Sequence, residues 1–556
     1  MKRMERINEI EDIPSKRLRD GRIWVSATDT YNYMVNDSLV DWLKLNETVE
    51  KGVFTNFIFA QGCEFEKNIV KRLNDDFIPV ISVSDKITQE SCEKTIELME
   101  KGVPIIHSAP FEDQTTRTRG IIDLIVRSDQ LNDIFVESPL PLRSKPYYVV
   151  IDIKFSTLPL RADGIHLLNS DSYTAYKAQL QIYRNAVNQI QKYDFPCAYL
   201  LGRRWSYTQK GISYSGQDSF DRLGVIDYEG VDKEYVQKTE KAISWVRDVR
   251  ENGKSWVANS RPELLPNMCV DSGGWNCRKK ELAIANSDIT MIWQCGMKHR
   301  KNAIDRGILS WKDERCTSNT LGINGSYAPI INEILNINRQ EIDKIRPAKV
   351  VQNLAPCNEV FVDFETFADV FDEHTKTDAI FMVGIYYCEN ETWKYKNFIS
   401  EENTLDCEFQ IMDAFVSFIK QLGNPKLWYW HAEPQIWRTA ECRQLDRTED
   451  AEKIQRIATE WILNDWTDLC QVFRKEPIVV KGAFAFGLKD IASAMQSHGM
   501  ISATIESNCM SGLEASVYAW ESYKTGNKDI MRDIEKYNEF DVKVLYEILT
   551  YLRKLL

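Results

Sequence analysis

Residues 147–156 read YYVVIDIKFS, a run of β-branched and aromatic residues interrupted by one acid and one amine. The pattern predicts a buried strand, and the two-residue period of a strand puts Asp152 and Lys154 on one face. A buried carboxylate beside a buried amine is costly unless something uses the pair. One use is metal-assisted phosphodiester cleavage, with the Asp holding Mg²⁺ and the Lys orienting or stabilising a hydroxide. The plain alternative is a surface ion pair on an edge strand. Residues 359–369, EVFVDFETFAD, repeat the theme: Asp363 and Glu365 share one face of a second apolar strand. Asp123 stands inside the apolar run 121–126 and needs a partner or an ion.

Other chemistry-bearing residues fall on elements that pattern alone identifies. Phe65, Ile69, Val70 and Leu73 recur at helical spacing, and Glu66 lies beside that stripe near the expected helix start. An acid in a first turn is favourable by itself, so Glu66 has a bland explanation. Residues 101–111 and 117–129 predict two strands, the second holding Asp123. Residues 172–193 predict a helix in which Gln179 and Tyr183, four apart, share a face. Residues 195–207 predict a further strand, ending near Arg203 and Arg204. His107 is expected to be a core or strand-end histidine. At the N-terminal end, Ser26 or Thr28 is placed to cap a helix.

The order helix, strand, strand, strand, helix, strand carries Gly62-Cys-Glu-Phe-Glu66, Gly120-Ile-Ile-Asp123, Asp152-Ile-Lys154 and Gln179-Leu-Gln-Ile-Tyr183. In this order these motifs resemble the RecB-like branch of the PD-(D/E)xK nucleases. The resemblance implies Asp123 and Asp152 as metal ligands, Glu66 as an additional or water-mediated ligand, and Lys154 as the catalytic lysine. Gln179 and Tyr183 would position the site or the DNA backbone. Many members also show a metal-ligand histidine before the G-x-x-D motif; His107 lies upstream of Gly120 but does not match that position, so it keeps the core or strand-end reading.

The last third predicts a strand meander over 359–400, an amphipathic helix over 406–423, and a strand running into a helix at His431 and Glu433. Asp468 begins a helix, where capping alone would explain it. A long C-terminal helix puts Tyr537 and Asp541 four apart on one face. Asp-x-Glu on a first strand with Tyr-x-x-x-Asp on a last helix resembles the DnaQ-like 3′–5′ exonucleases of the RNase H-like fold. The resemblance implies that Asp363, Glu365, Glu433 and Asp541 hold two metal ions roughly 4 Å apart, with Tyr537 orienting the water. That family usually has Asp at the second motif, although RNase H-like domains fused to RecB-like nucleases do show Glu there. Asp468 is the substitute for Glu433.

Between these regions, Cys269, Cys277, Cys295 and Cys316 are separated by seven, seventeen and twenty residues, with no C-x₂-C pair. An iron–sulfur cluster or zinc site, which RecB-like relatives often carry, is disfavoured by that spacing. Residues 279–313 predict two helices joined around Cys295-Gly296. They resemble a helical hairpin that follows the nuclease core in RecB-like proteins, some from large DNA viruses. Lys298, Arg300 and Lys301 are its candidate phosphate contacts, and a plain helical spacer is the alternative. Residues 318–329 are rich in turn formers and are expected to be exposed.

The net charge of −12 argues against a protein that coats nucleic acid non-specifically. Neither a signal peptide nor a membrane span is expected, so an intracellular place is, in the cytoplasm or at sites of DNA replication. The thirteen cysteines are then expected to be mostly reduced core thiols. No Walker A sequence is present, so unwinding would need a separate helicase or replication partner.

The expected architecture is a multidomain α/β protein. A restriction-endonuclease-like (PD-(D/E)xK) core spans 1–260, a helical connector 261–345, and an RNase H-like mixed-sheet domain 346–556. The expected function is hydrolysis of DNA with Mg²⁺ or Mn²⁺ at two sites, on single-stranded or frayed ends, in replication, recombination or repair. Rival readings are an RNA substrate, one dead site, or a non-catalytic nucleic-acid-binding scaffold. Trp205, Trp428 and Trp430 are candidate base-stacking residues whose simpler role is core packing.

Overall fold

The computed structural model describes residues 23–137, 145–342, 344–347, 356–367, 379–463, 465–504, 507, 509 and 511–555. The N-terminal segment read for a signal peptide and part of the loop before residue 147 lie outside these. The chain forms two compact units, Met1–Leu282 and Ala283–Leu556. Residues 261–345, expected as a connector, are shared between them.

The first unit is built on one mixed sheet: β1 (Val25–Ser26), β2 (Val80–Ser82), β3 (Ile105–Asp113), β4 (Thr118–Arg127), β5 (Tyr148–Pro159), β6 (Cys197–Gln209), β7 (Ile212–Gly216) and β8 (Gly224–Asp227). The strand order is β2-β3-β4-β5-β6-β7, with β1 against β4 and β8 against β6. Neighbours β3, β4 and β5 are antiparallel, whereas β5 and β6 are parallel. Helices α1 (Val53–Asp76), α2 (Gln89–Glu100), α3 (Tyr173–Gln191) and α4 (Glu234–Asn252) complete the unit. A parallel pair needs a crossover, and α3 supplies it between β5 and β6.

Alternation along β5 fills two apolar layers. Val149, Ile151 and Ile153 pack with Ile69 and Leu73 of α1. Val150 and Leu158 pack with Leu180 and Tyr183 of α3. Asp152 falls between Val150 and Lys154 in that second register, so burial follows from its position in the strand.

In the second unit come α5 (Met297–Ile304), α6 (Tyr327–Arg339), β9 (Ile345–Arg346), β10 (Glu359–Phe367), β11 (Ala379–Glu389), β12 (Thr392–Ile399), α7 (Leu405–Gln421), β13 (Lys426–Tyr429), α8 (Glu433–Asp446), β14 (Trp466–Asp468), β15 (Val479–Val480), α9 (Leu488–Ser497), α10 (Gly512–Thr525) and α11 (Lys528–Lys554). The main sheet runs β12-β11-β10-β13-β14, antiparallel on the meander side and parallel across β10, β13 and β14. Strand β10 is therefore central and bonded on both edges. Val360, Val362 and Phe364 face α7 through Met412 and Phe415. Phe361 faces the opposite layer, with Leu545 and Leu549 of α11. Asp363 and Glu365 follow Phe361 in the alternation and so look towards α11.

Several expectations are corrected. Helix α1 begins at Val53, so Glu66 is buried in mid-helix and is no first-turn acid. Arg300 is buried and paired with Asp288 at 2.9 Å, which removes it as a phosphate contact; Lys298 is exposed, and Lys301 pairs with Asp305. Most of residues 318–329 are exposed as expected, but Ser318–Leu321 form a helical turn capped by Thr317, with Leu321 fully buried. The cysteines are free thiols, yet only Cys295, Cys316, Cys470 and Cys509 are buried, so most are not core residues. Cys269 and Cys277 are exposed in the first unit, whereas Cys295 and Cys316 sit in an apolar cluster of the second. Among the described residues, no helix is long and apolar enough to cross a membrane.

Candidate active sites

In the first unit, five of the six expected residues, Asp123, Asp152, Lys154, Gln179 and Tyr183, meet where β4 and β5 stop pairing. The ladder runs from Arg127↔Tyr148 to Leu124↔Ile151. One step further, the amide of Ile153 donates to Oδ2 of Asp123 at 2.9 Å instead of to a backbone carbonyl. The carboxylate thus takes over a strand bond and lies beside Asp152. Asp152 is fully buried. Its Oδ1 accepts from Nε2 of Gln179 at 3.1 Å, and the same Gln179 nitrogen lies 3.1 Å from the Tyr183 hydroxyl. Its Oδ2 lies 2.6 Å from Nζ of Lys154, an ion pair that lacks good hydrogen-bond alignment. The helical spacing of Gln179 and Tyr183 is what lets one amide nitrogen touch both the Asp152 carboxylate and the Tyr183 hydroxyl.

Gly120 makes room for this arrangement. A Cβ there would lie 2.7 Å from the ring of Tyr183. Burial, then repulsion from Asp152, pushes the Asp123 carboxyl well above its ordinary value. Burial works against the Lys154 ammonium, but Asp152 and Asp123 outweigh it and hold the amine charged. Burial also raises Tyr183, helped by both acids.

Glu66 reaches this region from α1, and its charge is felt at Asp123. Its Oε1 lies 3.1 Å from Nε2 of His107, whose Nδ1 lies 2.9 Å from Ser82. His107 is therefore a site neighbour and not an ordinary core histidine. Its next residue, Ser108, has φ near +47°, a strained value for a side-chain-bearing residue. The RecB-like family's histidine upstream of the G-x-x-D motif was a signal for this residue, set aside because His107 did not match its position; its meeting with Glu66 arises only through folding.

The second unit brings its acids closer together. Oxygens of Asp363, Glu365 and Asp541 lie within 4.8 Å of one another. Three carboxylates at that separation repel, so burial and mutual charge raise Asp363 well above its usual range and push Glu365 up to about 8. Asp541 is pushed up to about 6 by burial, against Lys489 and a hydrogen bond from Tyr537. Burial raises the Tyr537 hydroxyl, with Asp541 adding to it, so the phenol stays protonated.

Glu433 is buried at the start of α8, and Oε2 accepts from the Ala432 amide at 3.1 Å. Burial, with Asp468 and Asp541 nearby, pushes it up to about 8. Asp468 caps the following helix through the Gln471 amide and also accepts from the His431 amide at 3.2 Å. His431 has φ near +91°, so this bond fixes the strand-to-helix corner that delivers Glu433. The structure thus gives Asp468 a capping role while keeping it beside the fourth acid.

Two residues were not singled out from sequence. Asn538 is fully buried; its Nδ2 donates to Oδ2 of Asp363 at 2.9 Å and approaches Oε1 of Glu365 at 3.4 Å, while its Oδ1 accepts from Tyr395 at 3.0 Å. Lys489 of α9 sits 4.5 Å from the centre of the Tyr537 ring and is the cation that opposes the acid repulsion. Asn538 was hidden inside the gap of the Tyr-x-x-x-Asp motif, whereas Lys489 reaches the site only through packing.

The donor set fits divalent metal ions. Oδ1 of Asp541 is buried and accepts no hydrogen bond. A dry carboxylate oxygen without a donor, in a group that repels itself, is stabilised by a hard cation with oxygen ligands.

Residues 360–553 match the RNase_H superfamily. The matched segment starts on β10 and ends on α11, so it contains all four acids and Tyr537. A comparison with curated proteins returns no match. The second unit thus holds an RNase H-like domain, with which a nuclease or nucleic-acid-binding role and divalent metals agree.

Trp428 is buried, with its indole donating to Glu359 at 2.8 Å, and Trp430 donates to the Phe486 carbonyl. Both serve packing. Trp205 is only partly buried.

Proposed function

We propose that the protein is a metal-dependent nuclease that hydrolyses phosphodiester bonds of DNA, acting on single-stranded or frayed ends, with two active sites. The observation that carries this reading is the buried group Asp363, Glu365 and Asp541, with its undonated Asp541 oxygen. Bound Mg²⁺ or Mn²⁺ would activate water and neutralise the negative charge that the acids alone would repel. The residues around the acids then have definite tasks. Asn538 fixes the rotamer of Asp363, and Tyr537, hydrogen-bonded to Asp541, would orient the attacking water. Glu433 supplies the fourth carboxylate.

In the first unit, Asp152 and Asp123, with Glu66 behind them, would hold metal. Lys154 would stabilise the nucleophile, and Gln179 and Tyr183 would keep Asp152 in place. That this unit is a RecB-like nuclease belongs to the same proposal, supported by the shared carboxylate, amine and amide constellation.

The test is degradation of single-stranded DNA labelled in turn at each end, with Mn²⁺. Wild type, Lys154→Ala, Asp363→Ala and the double variant are compared, and RNA is run in parallel. Distinct product patterns lost in each single variant are expected. Wild type and double variant equally inert on both nucleic acids would overturn the reading.

A further inference from the structure

The hairpin of β6 and β7 carries a row of rings that the acid chemistry does not use. Trp205 and Tyr207 alternate on β6, and Tyr214 of β7 is the register partner of Tyr207. The rings stack in order: Trp205 on Tyr207 at 5.9 Å with planes 22° apart, and Tyr207 on Tyr214 at 4.8 Å and 14°. At the inner end the Arg222 guanidinium covers Trp205 at 3.9 Å. Tyr214, at the outer end, is 39% exposed.

Small residues hold the row in place. A Cβ on Gly216 would lie 2.3 Å from the Trp205 indole nitrogen, and one on Gly164 would lie 2.9 Å from the Tyr207 ring. The indole N–H is also fixed, donating to Asp221 at 3.0 Å. A rigid stack loses little entropy when another flat ring is added.

Position and charge point to the same occupant. Lys154 pairs in register with Gly202, and Leu158 with Trp205, so the row begins on the strand that borders the proposed site. Arg203, partly exposed, and Lys210, exposed, are the accessible cations of the hairpin, Arg204 being buried, and residues 195–217 contain no acid, within a chain of net charge −12. Serine, threonine and glutamine flank the rings. Sequence-tolerant binding of single strands uses this combination of aromatic faces, cations and neutral hydrogen-bonding side chains.

We propose that the row is a stacking platform for bases of single-stranded nucleic acid, with a nucleobase on the outer face of Tyr214 as the next ring. It rests on the nuclease reading of the same unit, since it leads a strand towards Lys154.

The full-length chain is tested in EDTA, where no cleavage intervenes. The probes are a fluorescent oligothymidine, an abasic strand of equal length and charge, and a 5-bromouracil strand for photo-crosslinking. The crosslink is expected on the tryptic peptide 211–222. Tyr214→Leu, which keeps an apolar side chain in the strand, should weaken oligothymidine binding roughly 5- to 150-fold and leave the abasic strand unchanged. Tyr214→Phe should bind as wild type. A crosslink outside that peptide, undiminished oligothymidine binding by Tyr214→Leu, or equal loss on both strands overturns the platform and leaves an internal hairpin zipper. Because both readouts are metal-free, wild type that binds this way but never cleaves with Mn²⁺ sinks the nuclease reading alone.

Discussion

The side-chain oxygen of Asn538 occupies the place where a side chain on Gly384 would begin: a Cβ there would lie 1.4 Å from Oδ1. Gly384 is also the register partner of Asp363, so the two strands leave one gap and Asn538 fills it. From that gap the amide reaches Asp363 and Glu365, and Tyr395 holds it from behind.

Gly384→Ala must therefore expel Asn538. Overpacking of this kind costs about 1–3 kcal/mol, and Asp363 loses its donor. We expect the fold to survive, metal affinity of the second unit to fall, and its cleavage products to disappear. Adding Asn538→Ala should recover much of the stability and none of the activity. Thermal melts and Mn²⁺ calorimetry on the four members of this cycle check the coupling; additive stability changes would show that the gap is unimportant.

The acid group makes metal-free stability depend on pH with a definite sign. Glu365 and Glu433 are pushed up to about 8 and Asp541 up to about 6 in the folded unit. Unfolded carboxylates titrate near pH 4, so the folded unit binds protons more tightly. This contribution is fully present below about pH 4 and is lost as pH rises through 6 to 8. In EDTA the melting temperature of wild type, relative to Glu365→Gln, should fall across that window. Saturating Mn²⁺ should remove most of the difference and release protons on binding. A wild-type melting temperature that climbs relative to the variant in EDTA would contradict the assignment.

At the first site, the buried Asp152 and the partly exposed Lys154 should behave as a coupled pair. Lys154→Ala leaves a dry carboxylate without its cation and should cost on the order of 3 kcal/mol. Asp152→Asn together with Lys154→Met should be close to neutral in stability, and both variants should lose first-site cleavage. Denaturant melts separate the two roles: equal destabilisation by the single and double changes would show that the pair is not what holds the strand end.

His107 supports Glu66, and outer partners of metal-ligating groups are typically worth 10- to 100-fold in affinity or activity. His107→Ala in an Asp363→Ala background is expected to raise the Mn²⁺ concentration for half-maximal cleavage by about that factor. Unchanged metal dependence would reduce His107 to a strand residue.

Much of this was legible in the chain because the informative residues sit on periodic elements. Asp152 and Asp363 interrupt apolar strands, and a two-residue period assigns their face without a structure. Gln179, Tyr183, Tyr537 and Asp541 follow from the helical four-residue spacing. Glu66 was placed on the right helix but near its start and not in its middle, since the residues before Glu64 show no clean stripe and hid the start at Val53. Trp205 was legible as a candidate stacking residue and His107 was set aside, while Lys489, Tyr207 and Tyr214 were not legible as site residues. Their roles arise from contacts between elements distant in sequence, which local pattern does not encode. The exposed cysteines departed from expectation because a cysteine's reduced state says nothing about its depth.

Strand β10 has one further consequence. Its first part, at Val360 and Phe361, is bonded on both edges, to β11 and β13, while Asp363 and Glu365 are paired with β11 alone, and the strand is covered on both faces. Opening the doubly bonded part would require breaking the whole sheet, so those amides should exchange with solvent only through global unfolding. The acids, held to β11 between two packed layers, have little room to adjust to the shape of what arrives. On the proposed nuclease reading, selection among nucleic acids at this site would then fall on the pliability of the substrate: an end that frays and bends into the fixed acids would be favoured over a stiff duplex interior.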